Sequence, residues 1–346
     1  MGLFGANDFG MDLGTVNLLI VERGRGIVLS EPSYVVCDRE TRVVKCAGTE
    51  AFQMYGKVPE SDIVECPLRK AHIHSFDLTG KMLAYFMNTA IGKRRGIRPR
   101  LYLAEPGGLA PSERHALLDA LIDAGARSVI EVDECVASAI GAGLRIDQPY
   151  GRMIVDIGAA RTNIAVFSLG HQVMWHVEDF GGDQFDWAVT EFLRRKHNLQ
   201  IGGRTAEEIK IDLGTAKLRD VARSREVFGR AMLAGLPRSV KITSDDVNEA
   251  LDMPIRDLIN RIHRFIEQMP PELASDIFDE GFTITGGGAK LYGIDDLLSE
   301  QLRIKVSLAE EPELCVAHGL LELMSEPELY DKIELKSKIG AQTSEE

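Results

Sequence analysis

The sequence predicts an α/β protein built from two related halves, and three observations support this fold class. A short motif occurs twice, as Asp12-Leu13-Gly14-Thr15 and as Asp156-Ile157-Gly158-Ala159. Each copy ends one apolar run and opens another, which is the pattern of a strand, a tight turn and a second strand. Between and after the two copies, short apolar runs alternate with amphipathic segments. That order is typical of α/β domains with mainly parallel sheets.

Length, composition and charge exclude several classes of protein. A chain of 346 residues favours two domains. With 40 basic and 53 acidic residues the formal net charge is −13, which argues against nucleic acid as the main partner. The sequence has no run of about 20 apolar residues to span a bilayer, and its start lacks the pattern of a secretory signal. The five cysteines form no C-x-x-C pair, as expected for a reducing cytoplasm.

Periodicity and capping residues predict the elements along the chain. Strands are expected through about residue 45 and at Leu101–Ala104, Val129–Val132 and Phe282–Thr285. Helices are expected after Gly181-Gly182-Asp183 and from Thr79 (ending near Gly92), Pro111, Glu134, Thr205 (to about Lys217) and Ser244. Pro254 is expected to kink or interrupt the last of these helices. The polar end, Ser337 to Glu346, is expected to be frayed.

The two turns have the residue types that bind phosphate together with a divalent cation. Glycine lets the backbone approach phosphate oxygens, and N–H groups exposed at such a turn form an anion-binding concavity. Asp12 and Asp156, one carboxylate from each half, would hold a hydrated Mg²⁺, because Mg²⁺ keeps its waters and takes few direct protein ligands. We therefore expect a two-domain nucleotide clamp. The run Gly286–Gly288 lacks the G-K-[ST] ending of a Walker A loop, so that other phosphate-binding loop is not indicated.

The order of four motifs resembles that of the actin-fold ATPases. These motifs are Asp12–Thr15, Asp156–Gly158, Gly181–Asp183 and Thr285–Gly288. Flanking segments at Gly26–Ser33, Ala139–Leu144 and Pro270–Ile277 narrow the resemblance to the MreB family of bacterial actins, over about residues 9 to 325. The resemblance implies an actin-like fold, in which two related α/β domains with smaller inserted subdomains flank a nucleotide cleft. The implied domains are 1–149 plus 316–346, with an insertion at about 35–68, and 150–315, with an insertion at about 185–248.

The resemblance also implies a function. The chain is expected to be an ATP-binding cytoskeletal protein that polymerises into membrane-associated filaments and helps to determine cell shape by organising cell-wall synthesis. ATP or ADP and Mg²⁺ would be its ligands, and its partners would be further copies of itself and cell-shape and wall-synthesis proteins. It would lie in the cytoplasm, at the inner face of the cell membrane. Leu3, Phe4 and the basic run Lys93–Arg100 are the candidates for membrane contact, with a solvated loop as the alternative for the run.

Particular residues acquire roles through the same resemblance. Asp12 and Asp156 would act through Mg²⁺-bound water. Glu134 would orient the attacking water, or would simply be an acid favoured by a helix N-terminus. Glu207 and Lys210 would contact the ribose and base, or would form a plain surface ion pair. The implied nucleotide contacts are Gly14, Thr15, Val16, Asn17, Gly158, Ala159, Ala160, Thr162, Gly182, Asp183, Glu207, Lys210, Gly286, Gly287, Gly288 and Lys290.

The second phosphate motif departs from the family. Relatives usually have Asp-Ile-Gly-Gly-Gly-Thr-Thr. In this chain Ala159 and Ala160 replace the second and third glycines of that run, and Arg161 replaces the first threonine. Loss of two glycines is expected to reduce backbone freedom and the room for phosphate. Arg161 either points into the cleft and clamps the γ-phosphate, or points away and leaves nucleotide poorly bound or unhydrolysed. We expect nucleotide binding with slow or absent hydrolysis, hence at most a weak ATPase.

Three further departures and two other functions bear on this expectation. Lys70-Ala71, Ser75 and Cys135 stand where relatives usually have Asp-Gly, Asp and Pro. They weaken the case for turnover more than the case for the fold. A degenerate scaffold that co-assembles with another actin-like protein and never hydrolyses ATP is one alternative. A small-molecule kinase of the same superfamily is the other, but it would need an acceptor-binding subdomain, for which the compact inserted segments leave little room.

Overall fold

A computed structural model of the chain describes residues 8–69, 72–92 and 98–326 and the backbone of 337–340. Its strands are β1 (Asp8–Leu13), β2 (Asn17–Glu22), β3 (Gly26–Pro32), β4 (Val35–Asp38), β5 (Val44–Ala47), β6 (Asp62–Glu65), β7 (Leu68–Arg69), β8 (His72–Ile73), β9 (Arg100–Glu105), β10 (Ser128–Asp133), β11 (Arg152–Ile157), β12 (Thr162–Ser168), β13 (His171–Glu178), β14 (Leu199–Gln200), β15 (Ser224–Ala231), β16 (Pro237–Thr243), β17 (Phe282–Thr285), β18 (Val306–Leu308) and β19 (Ser337–Gly340). The predictions for Leu3, Phe4, Lys70, Ala71 and residues 93–97 lie outside the described residues.

The helices alternate with these strands along most of the chain. They are α1 (Thr49–Gln53), α2 (Phe76–Ile91), α3 (Pro111–Asp123), α4 (Glu134–Gly141), α5 (Gly182–His197), α6 (Gly203–Leu213), α7 (Ser244–Glu267), α8 (Pro271–Glu280), α9 (Ile294–Leu302) and α10 (Cys315–Ser325), with short 3-10 helices at Gly287–Lys290 and Pro312–Leu314. Within residues 8–69, 72–92 and 98–326, no helix combines the length and apolarity needed to cross a bilayer.

The chain divides into two compact units. Unit 1 comprises Met1–Gln148, Leu169–Gln172 and Leu314–Glu346, and unit 2 comprises Pro149–Ser168 and Val173–Glu313.

A six-stranded sheet in the order β19-β10-β9-β1-β2-β3 organises unit 1. Its three central strands, β1, β9 and β10, run parallel to one another. The strands β2 and β3 extend the sheet by antiparallel pairing on one side, and β19 does so on the other. The expectation of mainly parallel pairing is therefore wrong for this unit. The reason is that short turns, such as the one between β1 and β2, can join only antiparallel strands.

Unit 2 repeats this arrangement around a five-stranded sheet in the order β13-β12-β11-β17-β18. The strands β11, β17 and β18 are parallel, while β11 and β12 form an antiparallel hairpin. The amphipathic helix α7 covers this core with a stripe of buried apolar residues at helical spacing. The smaller sheets are β14-β15-β16 in unit 2 and β4-β5-β6 and β7-β8 in unit 1.

Several predicted elements need correction. The hydroxyl of Ser75, not Thr79, caps α2 by accepting a hydrogen bond from the amide of Leu78; Thr79 is buried one turn further on. Pro254 does not interrupt α7, which runs unbroken from Ser244 to Glu267. The buried face of that helix on both sides of the proline compensates for the one lost hydrogen bond. The segment Ser337–Gly340 is not frayed, because it pairs with β10.

Two glycines let the backbones of α4 and α10 touch. A Cβ atom on Gly141 would fall on the carbonyl of Cys315, and one on Gly319 would fall on the carbonyl of Ala137, each far inside the 3.0 Å that real Cβ atoms keep. Because the atoms in the way are backbone, no rotamer change can relieve the overlap. The packing of α4, whose first residue is Glu134, therefore depends on glycine at both positions.

We expect Gly141→Ala to lower the free energy of unfolding by about 3 kcal/mol, because the added methyl group has to push two helix backbones apart. Urea unfolding followed by circular dichroism measures the change. Gly80→Ala is the matched control. Gly80 lies within α2, and a Cβ there would meet the side chain of Ala120 in α3 at an ordinary 3.6 Å. Equal unfolding midpoints for Gly141→Ala and Gly80→Ala would contradict the close helix contact.

Candidate functional site

The parallel register of unit 1 brings several polar residues to one edge of the sheet. Asp12 on β1 pairs with Ala104 on β9, and Ala104 pairs with Val132 on β10. The carboxyl ends of the three strands are thus level, and Asp12 lies at the same edge as Asp133 and the following Glu134. In α/β sheets this edge is where ligands bind.

The turn between β1 and β2 is held from behind by one serine. The hydroxyl of Ser33 donates to the carbonyl of Gly14 at 3.0 Å, and its amide donates to the carbonyl of Val16 at 2.9 Å. In a trans peptide the next N–H points opposite to the carbonyl, so the amides of Thr15 and Asn17 point away from Ser33. A Cβ on Gly14 would lie 2.5 Å from the carbonyl oxygen of Asn17. The turn therefore requires glycine and presents amide donors on its outer side.

Glu134 begins α4 but does not cap it. The cap is Asp133, whose carboxylate accepts a hydrogen bond from the amide of Cys135 at 2.8 Å. Oε2 of Glu134 accepts instead from the amide of Gly107 at 3.2 Å, in the loop that follows β9. Besides beginning α4, Glu134 thus contacts the loop that follows the neighbouring strand β9.

In unit 2 the matching carboxylate, Asp156, is buried at the end of β11. It lies in register with Thr285 of β17, whose hydroxyl donates to Oδ1 of Asp156 at 3.1 Å. Burial raises the pKa of Asp156 to about 6, and the hydrogen bond from Thr285 opposes that rise. An ionised carboxylate is costly in this position unless a positive charge comes close to it.

The glycine run after β17 is needed mainly for packing. Gly286 has a φ of +83°, and a Cβ there would lie 2.5 Å from Oδ1 of Asp156. A Cβ on Gly288 would collide with the side chain of Ile157, whereas one on Gly287 would meet no atom within 4 Å. Of the three glycines, Gly287 is thus the one that faces open space. Lys290, at the end of this segment, forms an ion pair with Glu313.

The altered loop between β11 and β12 binds the start of α5. The carbonyls of Gly158 and Ala159 accept hydrogen bonds from the amides of Gly182 and Asp183, at 3.0 and 2.7 Å. Among the described residues, the non-glycine positions with positive φ are Arg42, Leu169, Asn198, Arg303 and Glu311. Ala159 and Ala160 are not among them. The expected loss of backbone freedom therefore carries no cost here, because no left-handed conformation is required.

Arg161 is buried rather than extended into solvent, with only 7% of its surface exposed. Its Nε lies 3.4 Å from Oδ1 of Asp179, a side chain that is largely exposed. Next to it, the hydroxyl of Thr162 donates to the carbonyl of Phe180 at 2.8 Å. Both residues thus fasten the loop to the segment that leads into α5.

Lys210 of α6 forms its ion pair with Asp186, not with Glu207, although the three-residue spacing from Glu207 would allow one. Its Nζ lies 3.0 Å from Oδ2 of Asp186 and 3.4 Å from the carbonyl of Gly182. Burial raises the pKa of Asp186 to about 6, with Lys210 opposing the rise and Glu207 and Asp183 adding to it. Sequence reasoning missed Asp186. Its signal was the three-residue spacing from Asp183, which places both carboxylates on one face of α5.

Comparison with known proteins assigns the family. The family model for MreB/Mbl protein matches residues 6–332. The chain belongs to the MreB/Mbl family. It is 41% identical over 314 residues to the cell shape-determining protein Mbl of Bacillus cereus, covering 91% of this chain and 94% of that protein. It is also 41% identical over 325 residues to the cell shape-determining protein MreB of Escherichia coli K12, covering 92% and 93%.

Solved MreB structures share the fold. MreB 5 of Spiroplasma citri bound to AMPPNP superimposes with a TM-score of 0.87 at 28% identity, over 94% of this chain and 98% of that one. The ADP-bound structure gives a TM-score of 0.88, over 94% and 99%. The MamK double helical filament gives a TM-score of 0.76 at 20% identity, over 92% and 98%. The actin-like fold expected from the motif order is thereby confirmed.

Because the pKa of Asp156 is raised, we expect the stability of the unmodified protein to depend on pH in a way that the stability of an Asp156→Asn variant does not. The folded state holds the proton more tightly than the unfolded chain, so ionisation destabilises the fold progressively from about pH 4 to pH 6. A shift from 3.8 to about 6 corresponds to roughly 3 kcal/mol at and above neutral pH. We expect Asp156→Asn, which can still accept from Thr285, to be more stable than the unmodified protein at pH 7.5 and to lose this advantage at pH 4.

Urea unfolding of both proteins at pH 4, 5, 6 and 7.5, without nucleotide or Mg²⁺, measures this difference. The raised pKa of Asp186 is present in both proteins and cancels in the comparison. A difference in unfolding free energy that stays constant between pH 4 and 7.5 would contradict the assignment.

Proposed function

We propose that this MreB/Mbl-family chain is an ATP-binding cytoskeletal protein that assembles into filaments and helps to determine cell shape. The observation that carries the proposal is that each unit ends a central strand in an Asp and a glycine turn, Asp12-Leu13-Gly14 and Asp156-Ile157-Gly158. Relatives at about 40% identity are named for determining cell shape. MreB 5 of Spiroplasma citri has been solved with AMPPNP and with ADP, which supports a nucleotide as the ligand.

In unit 1 the phosphate contacts would come from the turn Gly14–Asn17, whose amides of Thr15 and Asn17 point outward. Asp12 would hold Mg²⁺ through a water molecule. Glu134, fixed by the amide of Gly107 at 3.2 Å, would orient the attacking water. Positioning of this kind supplies most of the catalysis in phosphoryl transfer.

In unit 2 the corresponding contacts would be Gly158, Ala159, Ala160 and Thr162 for phosphate. Asp183 and Gly182, at the start of α5, would lie next to them, because their amides are bound by that loop. Glu207 and Lys210 would contact the ribose and base. The remaining proposed contacts, at the adenine side, are Gly286, Gly287, Gly288 and Lys290.

The chemistry of Asp156 fits a nearby Mg²⁺. Its carboxyl is buried and its pKa is raised to about 6, and a divalent cation close by would favour the ionised form. Among residues 8–69, 72–92 and 98–326, no group of three or more His, Cys, Asp or Glu side chains is placed to hold a metal ion. Asp156 would act on Mg²⁺ through a water bound to the ion, and we propose the same role for Asp12 in unit 1.

Slow or absent hydrolysis is the second part of the proposal. Arg161 stands where the family has a Thr that helps to place the attacking water, and its guanidinium is buried within ion-pair distance of Asp179. A side chain held in this way cannot take over the role of a small hydroxyl group. Nucleotide binding would remain, because the backbone of the loop is unstrained.

We expect Arg161→Thr to raise phosphate release at saturating ATP by about tenfold or more, since a positioned group commonly contributes 10²- to 10⁴-fold. A colorimetric phosphate assay on purified protein measures it. Arg161→Lys is the control, because it keeps the charge and adds no hydroxyl group. The idea fails if Arg161→Thr binds ATP as the unmodified protein does and releases phosphate no faster.

Self-association is supported by an exposed apolar tip on unit 2. The hairpin of β15 and β16 ends in Met232, Leu233 and Leu236, which are 48%, 92% and 65% exposed. Apolar side chains clustered at such exposure mark an interaction surface. We assign this tip to contact with a second copy of the chain, in line with the proposed filament.

Membrane contact at the inner face of the cell membrane, and partners among cell-shape and wall-synthesis proteins, complete the proposal. Of the basic run Lys93–Arg100, the described part includes Arg98, which is exposed, and Arg100, whose guanidinium binds the buried carboxylate of Asp8 at 2.6 Å. Arg100 is thus engaged within the fold. The lipid contact would fall to Arg98 and to residues outside the described part, including Leu3 and Phe4.

Sedimentation of the purified protein with ATP, ADP or no nucleotide tests the assembly. We expect the pelleted fraction to depend on nucleotide, and Leu233→Asp to lower it severalfold because a carboxylate would be buried without a partner. Met253→Asp is the matched control, since Met253 is a similarly exposed apolar residue on α7.

Co-sedimentation with vesicles of anionic lipid tests the membrane contact. The variant carrying Arg94→Glu, Arg95→Glu and Arg98→Glu should co-sediment less than the unmodified protein.

Other results would point elsewhere. Pelleting that ignores nucleotide would favour the degenerate scaffold, and phosphorylation of a small hydroxylated compound would favour the kinase. Unchanged co-sedimentation of the triple variant would remove the basic run from the membrane contact.

A further inference from the structure

The edge of the unit 1 sheet is closed by the C-terminal end of the chain. The four-residue strand β19 pairs antiparallel with β10, with Ser128 opposite Gly340 and Glu131 opposite Ser337. On its other side β10 pairs with β9. Without β19, the strand β10 would be an edge strand with unpaired amide and carbonyl groups along one side.

Fixed contacts lead from this pairing to Glu134. Glu131, the last residue of β10 that pairs with β19, has a fully buried carboxylate bound by the guanidinium of Arg114, with Nε at 2.6 Å. Two residues later Asp133 caps α4, and Glu134 accepts the hydrogen bond from Gly107. The position of Glu134 therefore depends on the carboxyl end of β10 as well as on the packing of α4 against α10.

The strand β19 is an attachment that the family match does not include. That match ends at residue 332, five positions before Ser337. Four residues of pairing at a sheet edge make a weak contact compared with the buried strands beside it, and such elements open at low free-energy cost. The pairing is thus suited to opening and closing without unfolding of the unit.

We propose that the C-terminal strand is a positioning element for Glu134. With β19 paired, residues 128–131 of β10 lie between two strands, and Glu134, three residues further on, keeps its hydrogen bond from the amide of Gly107. With β19 released, β10 becomes an edge strand and Glu134 leaves Gly107. The consequence for ATP hydrolysis rests on the proposed role of Glu134, whereas the structural coupling does not.

Hydrogen–deuterium exchange on the full-length, nucleotide-free protein tests the coupling. Ile339→Pro removes an amide and disrupts the pairing opposite Val129. We expect exchange at least about tenfold faster in the peptides covering residues 128–134 and in the peptide that contains Gly107. Deletion of residues 337–346 should give the same result. Ile339→Val, which keeps the amide, and Gln342→Pro, which lies beyond the strand, should exchange like the unmodified protein.

The coupling is overturned if Ile339→Pro leaves both regions unchanged, or if β10 exchanges faster while the Gly107 peptide does not. Phosphate release in the Arg161→Thr background, where hydrolysis is expected to be faster, provides the functional arm: Ile339→Pro and Glu134→Gln should each lower it, and the two together should lower it no further than Glu134→Gln alone. If the effects of Ile339→Pro and Glu134→Gln on phosphate release add in the double variant, the strand β19 does not act through Glu134 and the proposal is wrong. A complete lack of ATP binding by the unmodified protein would refute the proposed function and leave the exchange result to decide the coupling.

Discussion

Parallel pairing of the central strands is the constraint on which the rest of each unit depends. In unit 1 it sets Asp12 level with Ala104 and Val132, and in unit 2 it sets Asp156 opposite Thr285. A slip of one residue would turn each of these side chains to the other face of its sheet. The antiparallel hairpins, the capping of α4 by Asp133 and the turn of Gly286 all take their positions from this register.

The buried carboxylates show how the fold balances charge around its candidate site. Glu131 has a guanidinium beside it, and Asp8 has two, so both are buried as members of ion pairs. Asp156 has a hydroxyl donor and a pKa raised to about 6. Removing charge from water is costly unless an opposite charge replaces the solvent. Glu131 and Asp8 already have arginine partners and need no further cation. Asp156 has only a hydroxyl donor among these contacts, which supports a cation near it when the proposed ligand is bound.

The altered loop after β11 illustrates how a family departure can be absorbed by the fold. Ala159 and Ala160 stand where the family resemblance places glycines, yet their backbone stays out of the left-handed region, and the carbonyl of Ala159 accepts a hydrogen bond from the start of α5. Arg161 is buried against the segment before that helix. The substitutions therefore leave the loop backbone without strain, as the proposal of retained nucleotide binding requires.

Local patterns alone were enough to place most elements and the two hairpins. The sequence determined that Asp12-Leu13-Gly14 and Asp156-Ile157-Gly158 end strands, that Glu134 begins a helix and that Phe282–Thr285 is a strand, because these depend on near neighbours and on periodicity. It also determined the family, through the order of its motifs. Only the tertiary structure decided that Lys210 binds Asp186, that Arg161 is buried near Asp179, that Gly286 and Gly288 serve packing against Ile157, and that Ser337–Gly340 pairs with β10. Each of these contacts joins residues far apart in the chain. Sequence spacing predicts only contacts between near neighbours, whereas these partners are determined by how whole helices and strands pack.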